Sequence, residues 1–142
     1  MRIVIGSDHG GFELKEFLKN HYNNKDIEWC DVGTYSDESC DYPIIASKVV
    51  NEILSGNAEK GVLICGTGIG ISIAANRYKG IRAAILYSRD AARLSREHND
   101  ANVAVFGART QLKEDVLQYL DVFLTTSFSE GERHCRRISE LE

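Results

Sequence analysis

What this chain has little of narrows it quickly. One proline stands among 142 residues, and there is no internal repeat, low-complexity tract or linker. A single domain over residues 1–142 is therefore expected, large enough to bury roughly 68–70% of its unfolded surface without staples. The four cysteines, Cys30, Cys40, Cys65 and Cys135, show neither C-x-x-C spacing nor a dense framework. That excludes a disulfide scaffold and favours reduced thiols in a cytoplasmic protein. No apolar run approaches the roughly 20 residues of a membrane span. The opening Met1–Gly6 is too short for a signal peptide and reads as a strand. A net charge of −4 gives no reason to expect nucleic acid or a membrane surface as partner. His9, His21, His98 and His134 form no short ligand pair, so neither a metal nor any other cofactor is expected.

Short apolar runs alternate with helical periodicity from end to end. Strands are predicted at Arg2–Ile5, Ile27–Val32, Gly61–Cys65, Arg82–Leu86 and Val103–Phe106. The first, third and fifth are nearly continuous in apolar residues, as strands buried on both faces should be. Between them, Leu14, Phe17, Leu18 and Tyr22 share one helical face, and Ile45, Val49, Val50 and Ile53 another. Leu112, Val116, Leu117 and Leu120 share a third, with further helices at Ser88–His98 and Gly131–Leu141. Pro43 is placed to start the second main helix. Five strands with intervening helices imply an α/β fold: one open, mostly parallel sheet covered on both faces. Such sheets bind ligands at the carboxyl ends of their strands.

The stretch Gly61–Asn76, GVLICGTGIGISIAAN, carries the chemistry. An apolar strand ends at Cys65, Gly66, Gly68 and Gly70 follow, and a helix begins. A glycine turn at a helix start gathers backbone N–H groups and positive potential into an anion site. A cysteine at its rim is favoured as thiolate and so available as a base or nucleophile. Spacing excludes sharper alternatives. A dinucleotide fingerprint needs a third glycine where Ile71 stands, and a Walker loop needs a lysine before Ser72. A cysteine phosphatase loop would place an arginine near Ile71.

Ser7-Asp8-His9-Gly10 follows the first strand, Cys65 the third, Ser88-Arg89-Asp90 the fourth and Gly107-Ala108-Arg109 the fifth. With His98-Asn99 after the fourth helix and Cys40-Asp41-Tyr42 before the second, acid, imidazole, thiol and guanidinium are expected to converge on one edge. Each has a plainer explanation. Asp8 suits a helix N-cap, and His98-Asn99 a helix C-terminus. Arg133, Arg136 and Arg137 suit a solvated face paired with Glu130, Glu132 or Glu140, and a buried cysteine is a small hydrophobe by default. All of them together are harder to dismiss.

Five blocks resemble the sugar-phosphate isomerases of the ribose-5-phosphate isomerase B type. They are Gly6-x-Asp8-His9-x-Gly11-Phe12, Asp41-Tyr42-Pro43, and Ile64-Cys65-Gly66-Thr67-Gly68-x-Gly70-Ile71 running on to Asn76. Ser95-Arg96-x-His98-Asn99-Asp100-x-Asn102-Val103 and Gly131-x-Arg133-His134-x-x-Arg137 complete them. The resemblance implies a three-layer Rossmann-like domain with a five-stranded parallel sheet. It implies metal-independent interconversion of ribose 5-phosphate and ribulose 5-phosphate, a pentose phosphate pathway step, in homodimers or homotetramers with sites between subunits. The terminal helix, 131–141, would then pack at that interface. By the same resemblance Cys65 moves a proton between C2 and C1 with help from Thr67, and the amides of Gly66, Gly68 and Gly70 bind the enediolate. Asp8 and His98 open the sugar ring, and Tyr42 and Asn99 contact substrate. His9, Arg109, Arg133, His134 and Arg137 surround the phosphate.

Two positions depart from the family pattern. Ile71 stands where some relatives carry a catalytic glutamate and lack the thiol, which places this chain in the cysteine branch. Glu132 replaces the second glycine of a frequent Gly-Gly-Arg-His motif. A related galactose-6-phosphate isomerase divides the thiol loop and the His-Asn motif between unlike subunits; this chain carries both, which favours a homo-oligomer and a pentose. The alternatives are a hexose phosphate such as allose or galactose 6-phosphate, or a non-catalytic sugar-phosphate-binding protein. Charge adds one constraint. A phosphate in the glycine turn would repel a thiolate, so it belongs a sugar's length away, against guanidiniums such as Arg133 and Arg137.

Overall fold

The structure, a computed structural model, describes residues 1–23 and 26–141. The chain runs β1 (Arg2–Ser7), a 3₁₀ turn (His9–Gly11), α1 (Phe12–His21), β2 (Glu28–Asp31), α2 (Tyr42–Leu54) and β3 (Lys60–Cys65). It continues with α3 (Ile69–Asn76), β4 (Ala83–Ile85), α4 (Arg89–Glu97), β5 (Val103–Gly107), α5 (Lys113–Thr125) and α6 (Glu132–Ser139). All five strands are parallel, in the order β2-β1-β3-β5-β4. The three continuously apolar strands occupy the centre, where both faces are covered, and the two less apolar ones form the edges.

Alternation along each strand feeds two cores. Ile3, Ile5, Val62, Ile64, Ala104 and Phe106 point to one face, against Leu14 and Leu18 of α1, Ala92 of α4, and Val116, Leu120 and Phe123 of α5. Val4, Leu63, Cys65, Val103 and Val105 point to the other, against Ile45, Val49 and Val50 of α2 and Ile71 and Ala75 of α3. Each fully buried aliphatic side chain contributes about 1.5–3 kcal/mol before entropy is counted. Pro43 does lie in the first turn of α2, where its missing N–H costs nothing. Leu112 departs from its expected place: it precedes α5 and is 67% exposed. The terminal helix is shorter than the expected Gly131–Leu141 and spans Glu132–Ser139. Among the described residues no helix is long and apolar enough to cross a membrane.

Two groups in this frame hold protons more tightly than usual. Burial first, then its hydrogen bond to Asp121 (2.6 Å), pushes the Tyr22 phenol well above its ordinary value of 10.0. Lys19 is raised above 10.5, chiefly by its bond to Asp31. A raised pKa contributes stability that is complete below the ordinary value and is lost as pH climbs through the folded one. The melting temperature should therefore hold up to about pH 10, the ordinary value of the phenol, and fall as pH rises above it. Tyr22→Phe should flatten that fall; an unchanged alkaline slope in the variant would remove Tyr22 from the account.

Candidate active site

The chain reverses direction across the sheet between β1 and β3, which opens a crevice at the carboxyl ends of those strands. Asp8 leaves β1 there and is tied to β3 by its amide on the Ile64 carbonyl (3.1 Å). Its Oδ1 accepts from the Gly10 and Gly11 amides at 2.9 and 3.2 Å, so the plainer capping role is real. Cys65 ends β3. Its Sγ accepts the Gly68 N–H at 3.1 Å, so the thiol faces into the glycine turn while remaining 5% exposed.

The turn has little freedom. Amides of Ala108 and Arg109 donate to the carbonyls of Cys65 and Gly66 at 2.9 and 2.8 Å, which fastens it to the end of β5. Gly68 sits at φ +81°, ψ −15°, and a Cβ there would lie 3.1 Å from the Phe106 carbonyl carbon. Both facts require glycine. Thr67 Oγ1 accepts the Ile69 N–H at 3.2 Å and so starts α3. Among the described residues, the amides of Gly66, Thr67 and Gly70 donate to no protein acceptor, leaving three donors at the positive end of the helix.

Neighbouring side chains close around this turn. The Tyr42 ring lies on Gly70, where an added Cβ would be 2.7 Å from its Cζ. Arg109 lies over Gly66 and reaches toward Gly10; Cβ positions there fall 3.2 Å from Nη1 and 3.6 Å from Nη2. His9 Nδ1 accepts the Cys40 amide at 3.2 Å. Asp8, His9, Tyr42, Cys65, Thr67, the three glycines and Arg109 therefore share one edge.

The remaining expected residues do not. α4 runs antiparallel to the strands, so its C-terminus, where His98 is the cap, returns to the amino edge of the sheet. Arg82 at the entry of β4 binds the carbonyls of Asn99 and Asp100, and Asn102 binds Gly61 at the start of β3. The expected convergence on one edge is thus corrected: His98 and Asn99 stand about a strand length, roughly 17–20 Å, from Cys65. His134 stacks on His98, ring centroids 4.2 Å apart and planes inclined by 15°. Packing first, then the charges of His98, Arg133 and Arg137, holds the His134 imidazole below its ordinary pKa. Arg133 and Arg137 lie exposed on α6 beside it. Arg136 has the solvated ion pair expected of that face, with Glu140 at 3.8 Å.

Two supports escaped the sequence reading. Buried Arg96 shapes the His98–Asp100 turn by donating to Asp100, the Ala101 carbonyl and the Thr126 carbonyl. It lies in the Ser95–Val103 block, where an arginine before a histidine gives no sign of being buried. The Cys40 amide on His9 left no signal, because a backbone donor is anonymous in sequence.

A family model described as Ribose/Galactose Isomerase matches residues 3–141. Ribose-5-phosphate isomerase B of Escherichia coli strain K12 is 43% identical over 140 residues, covering 99% of this chain and 93% of that protein. A crystal structure of a ribose 5-phosphate isomerase from Thermotoga maritima superposes with a TM-score of 0.95 at 54% identity, covering 99% of this chain and 96% of the other. Ribose-5-phosphate isomerase B of Clostridium thermocellum gives a TM-score of 0.96 at 44% identity, with 99% and 95% covered.

Proposed function

We propose a mechanism from one premise: this chain belongs to the ribose/galactose isomerase family. It is an aldose-ketose isomerase that interconverts ribose 5-phosphate and ribulose 5-phosphate through an enediolate. The observation that carries the reading is Cys65 Sγ set 3.1 Å from the Gly68 amide, with three further amides unused beside it. Anionic sulfur takes the C2 proton of the open-chain aldose, and the electron pair released forms the C1–C2 double bond. Charge then moves from sulfur to O1, where the amides of Gly66, Thr67 and Gly70 receive it. One turn thus serves an anion before the step, through the Gly68 amide, and another after it, through its neighbours; an oxyanion donor of this kind is worth about 3–4 kcal/mol. A proton passes from O2 to O1 by way of the Thr67 hydroxyl, and the thiol returns its proton to C1.

The rest of the site comes from a second copy. The thiol half and the imidazole–arginine half stand on opposite edges of one subunit, too far apart for a five-carbon substrate to touch both. Two copies related by a twofold axis bring each thiol edge against the other's amino edge, giving two complete sites. Exposed Ile69 and Ile73, one turn apart on α3 beside the glycine turn, supply an apolar surface for this contact. Asp8 and Tyr42 then meet the sugar from one subunit, and His98 and Asn99 from the other. His9 and Arg109 hold the phosphate from one side, and Arg133 and Arg137 bind it bidentately from the other. His134, stacked and buried, backs His98 at the rim of the phosphate site.

The test is proton exchange. In heavy water, the purified protein should introduce deuterium at C2 of recovered ribose 5-phosphate and at C1 of ribulose 5-phosphate. Binding without exchange would reduce the protein to a sugar-phosphate receptor. Faster exchange into galactose 6-phosphate would move the substrate to a hexose.

A further inference from the structure

We infer that buried Lys15 anchors a strap, residues 33–40, that holds His9 in a single tautomer with its proton on Nε2. The Cys40 amide donates to His9 Nδ1 at 3.2 Å. A nitrogen that accepts a hydrogen bond cannot carry a proton, so the neutral ring is protonated at Nε2 and presents that N–H as a donor. The strap that delivers this amide is fastened at its base. The Ser7 amide donates to the Gly33 carbonyl (2.8 Å), and the Thr34 amide to the Ser7 carbonyl (2.7 Å). Asp31 binds the Gly33 amide through Oδ1 at 2.9 Å and receives Lys15 and Lys19 on Oδ2 at 2.6 and 2.8 Å.

Lys15 is an unusual choice for that place. Its side chain is completely buried, and its ammonium lies 5.4 Å from the ring centroids of both Phe12 and Tyr35. A buried ammonium is costly unless paired, and here Asp31 and Glu16 (3.1 Å) pair it. Burial alone would raise the Asp31 carboxyl; bonds from Lys15, Lys19 and the Gly33 amide outweigh that and hold it below its ordinary value. The position explains the arrangement. Lys15 belongs to α1, which begins directly after the turn bearing His9, and Tyr35 belongs to the strap that ends at Cys40. Tyr35, 70% exposed, donates its hydroxyl to the Asp31 carbonyl at 3.1 Å and lays its ring over the ammonium. One cation thus locks the element carrying His9 to the segment carrying its tautomer-setting amide.

This rests on the reading of His9 as a pocket residue only for its kinetic consequence; the tautomer is a property of the free protein. Nitrogen-15 NMR of the unliganded protein near pH 8 should show His9 with an unprotonated Nδ1 and a protonated Nε2. Lys15→Met, and Tyr35→Ala at an exposed position where folding is retained, should collapse that pattern toward averaged ring nitrogens. Both should raise KM for ribose 5-phosphate by roughly fivefold, the effect of one misdirected hydrogen bond, with a smaller change in kcat. Tyr35→Phe keeps the ring and should restore the tautomer signature. A wild-type ring protonated at Nδ1 would overturn the inference. So would a Tyr35→Ala protein with lowered melting temperature but unchanged His9 signals, since that is what a merely structural role produces. If the tautomer behaves as stated and no isomerisation occurs, the inference stands and the assigned reaction fails.

Discussion

Cys65→Ala should lower turnover of ribose 5-phosphate on the order of 10³-fold, within the 10²–10⁴ typical of a positioned general base. The loss should appear in kcat and in deuterium exchange together, because the same proton transfer governs both. Folding should survive. Cys65 packs in the core against α2 and α3 as a small apolar group, and truncating it there costs about 1 kcal/mol. Circular dichroism and a melting temperature within a few degrees of wild type should confirm this. KM should change little, since in the proposed site the hydrogen bonds to sugar and phosphate come from other residues. Turnover above a tenth of wild type would remove sulfur from the mechanism and leave the glycine turn as a binding site alone. Cys30→Ala, at a half-buried thiol on the edge strand β2, is the control and should be silent.

The second large effect is a recovery. In the proposed arrangement Cys65→Ala disables the thiol half of each site, and His98→Asn the imidazole half. If each site takes one half from each of two copies, a mixed dimer contains one site damaged twice and one wholly intact. Refolding equal amounts together makes about half of the dimers mixed, so activity should rise to roughly a quarter of wild type. Sites built within one chain would show no recovery at all, because every chain carries one lesion. Size-exclusion chromatography of the same mixture should show at least a dimer. The experiment discriminates sharply because its two outcomes are a quarter and nearly nothing.

The sheet was legible because its strands differ in how they are covered. Ile3–Ile5, Val62–Ile64 and Val103–Phe106 are apolar at every position, which only a strand with helices on both faces requires, and these became β1, β3 and β5 at the centre. The glycine turn was legible because each glycine answers a local demand, such as the positive φ of Gly68. Leu112 was misplaced because an apolar residue at the right spacing can still precede its helix. His98 lies further from its expected place. Residues near a strand end and residues near a helix end look alike in sequence, yet in a parallel α/β fold every crossover helix returns the chain to the opposite edge.

What the amino-acid sequence determined by itself is therefore local and periodic. It set five strands and their cover, a cysteine leading into a glycine turn, and blocks specific enough to identify the family. Tertiary structure alone decided which of those blocks face one another, because that depends on the direction each element takes across the sheet. It placed Cys65 with Asp8, Tyr42 and Arg109, sent His98 to stack on His134 at the far edge, and set a backbone amide against His9. Side-chain chemistry is written residue by residue, but proximity between distant segments is a property of the folded path, and an N–H from the main chain carries no letter of its own.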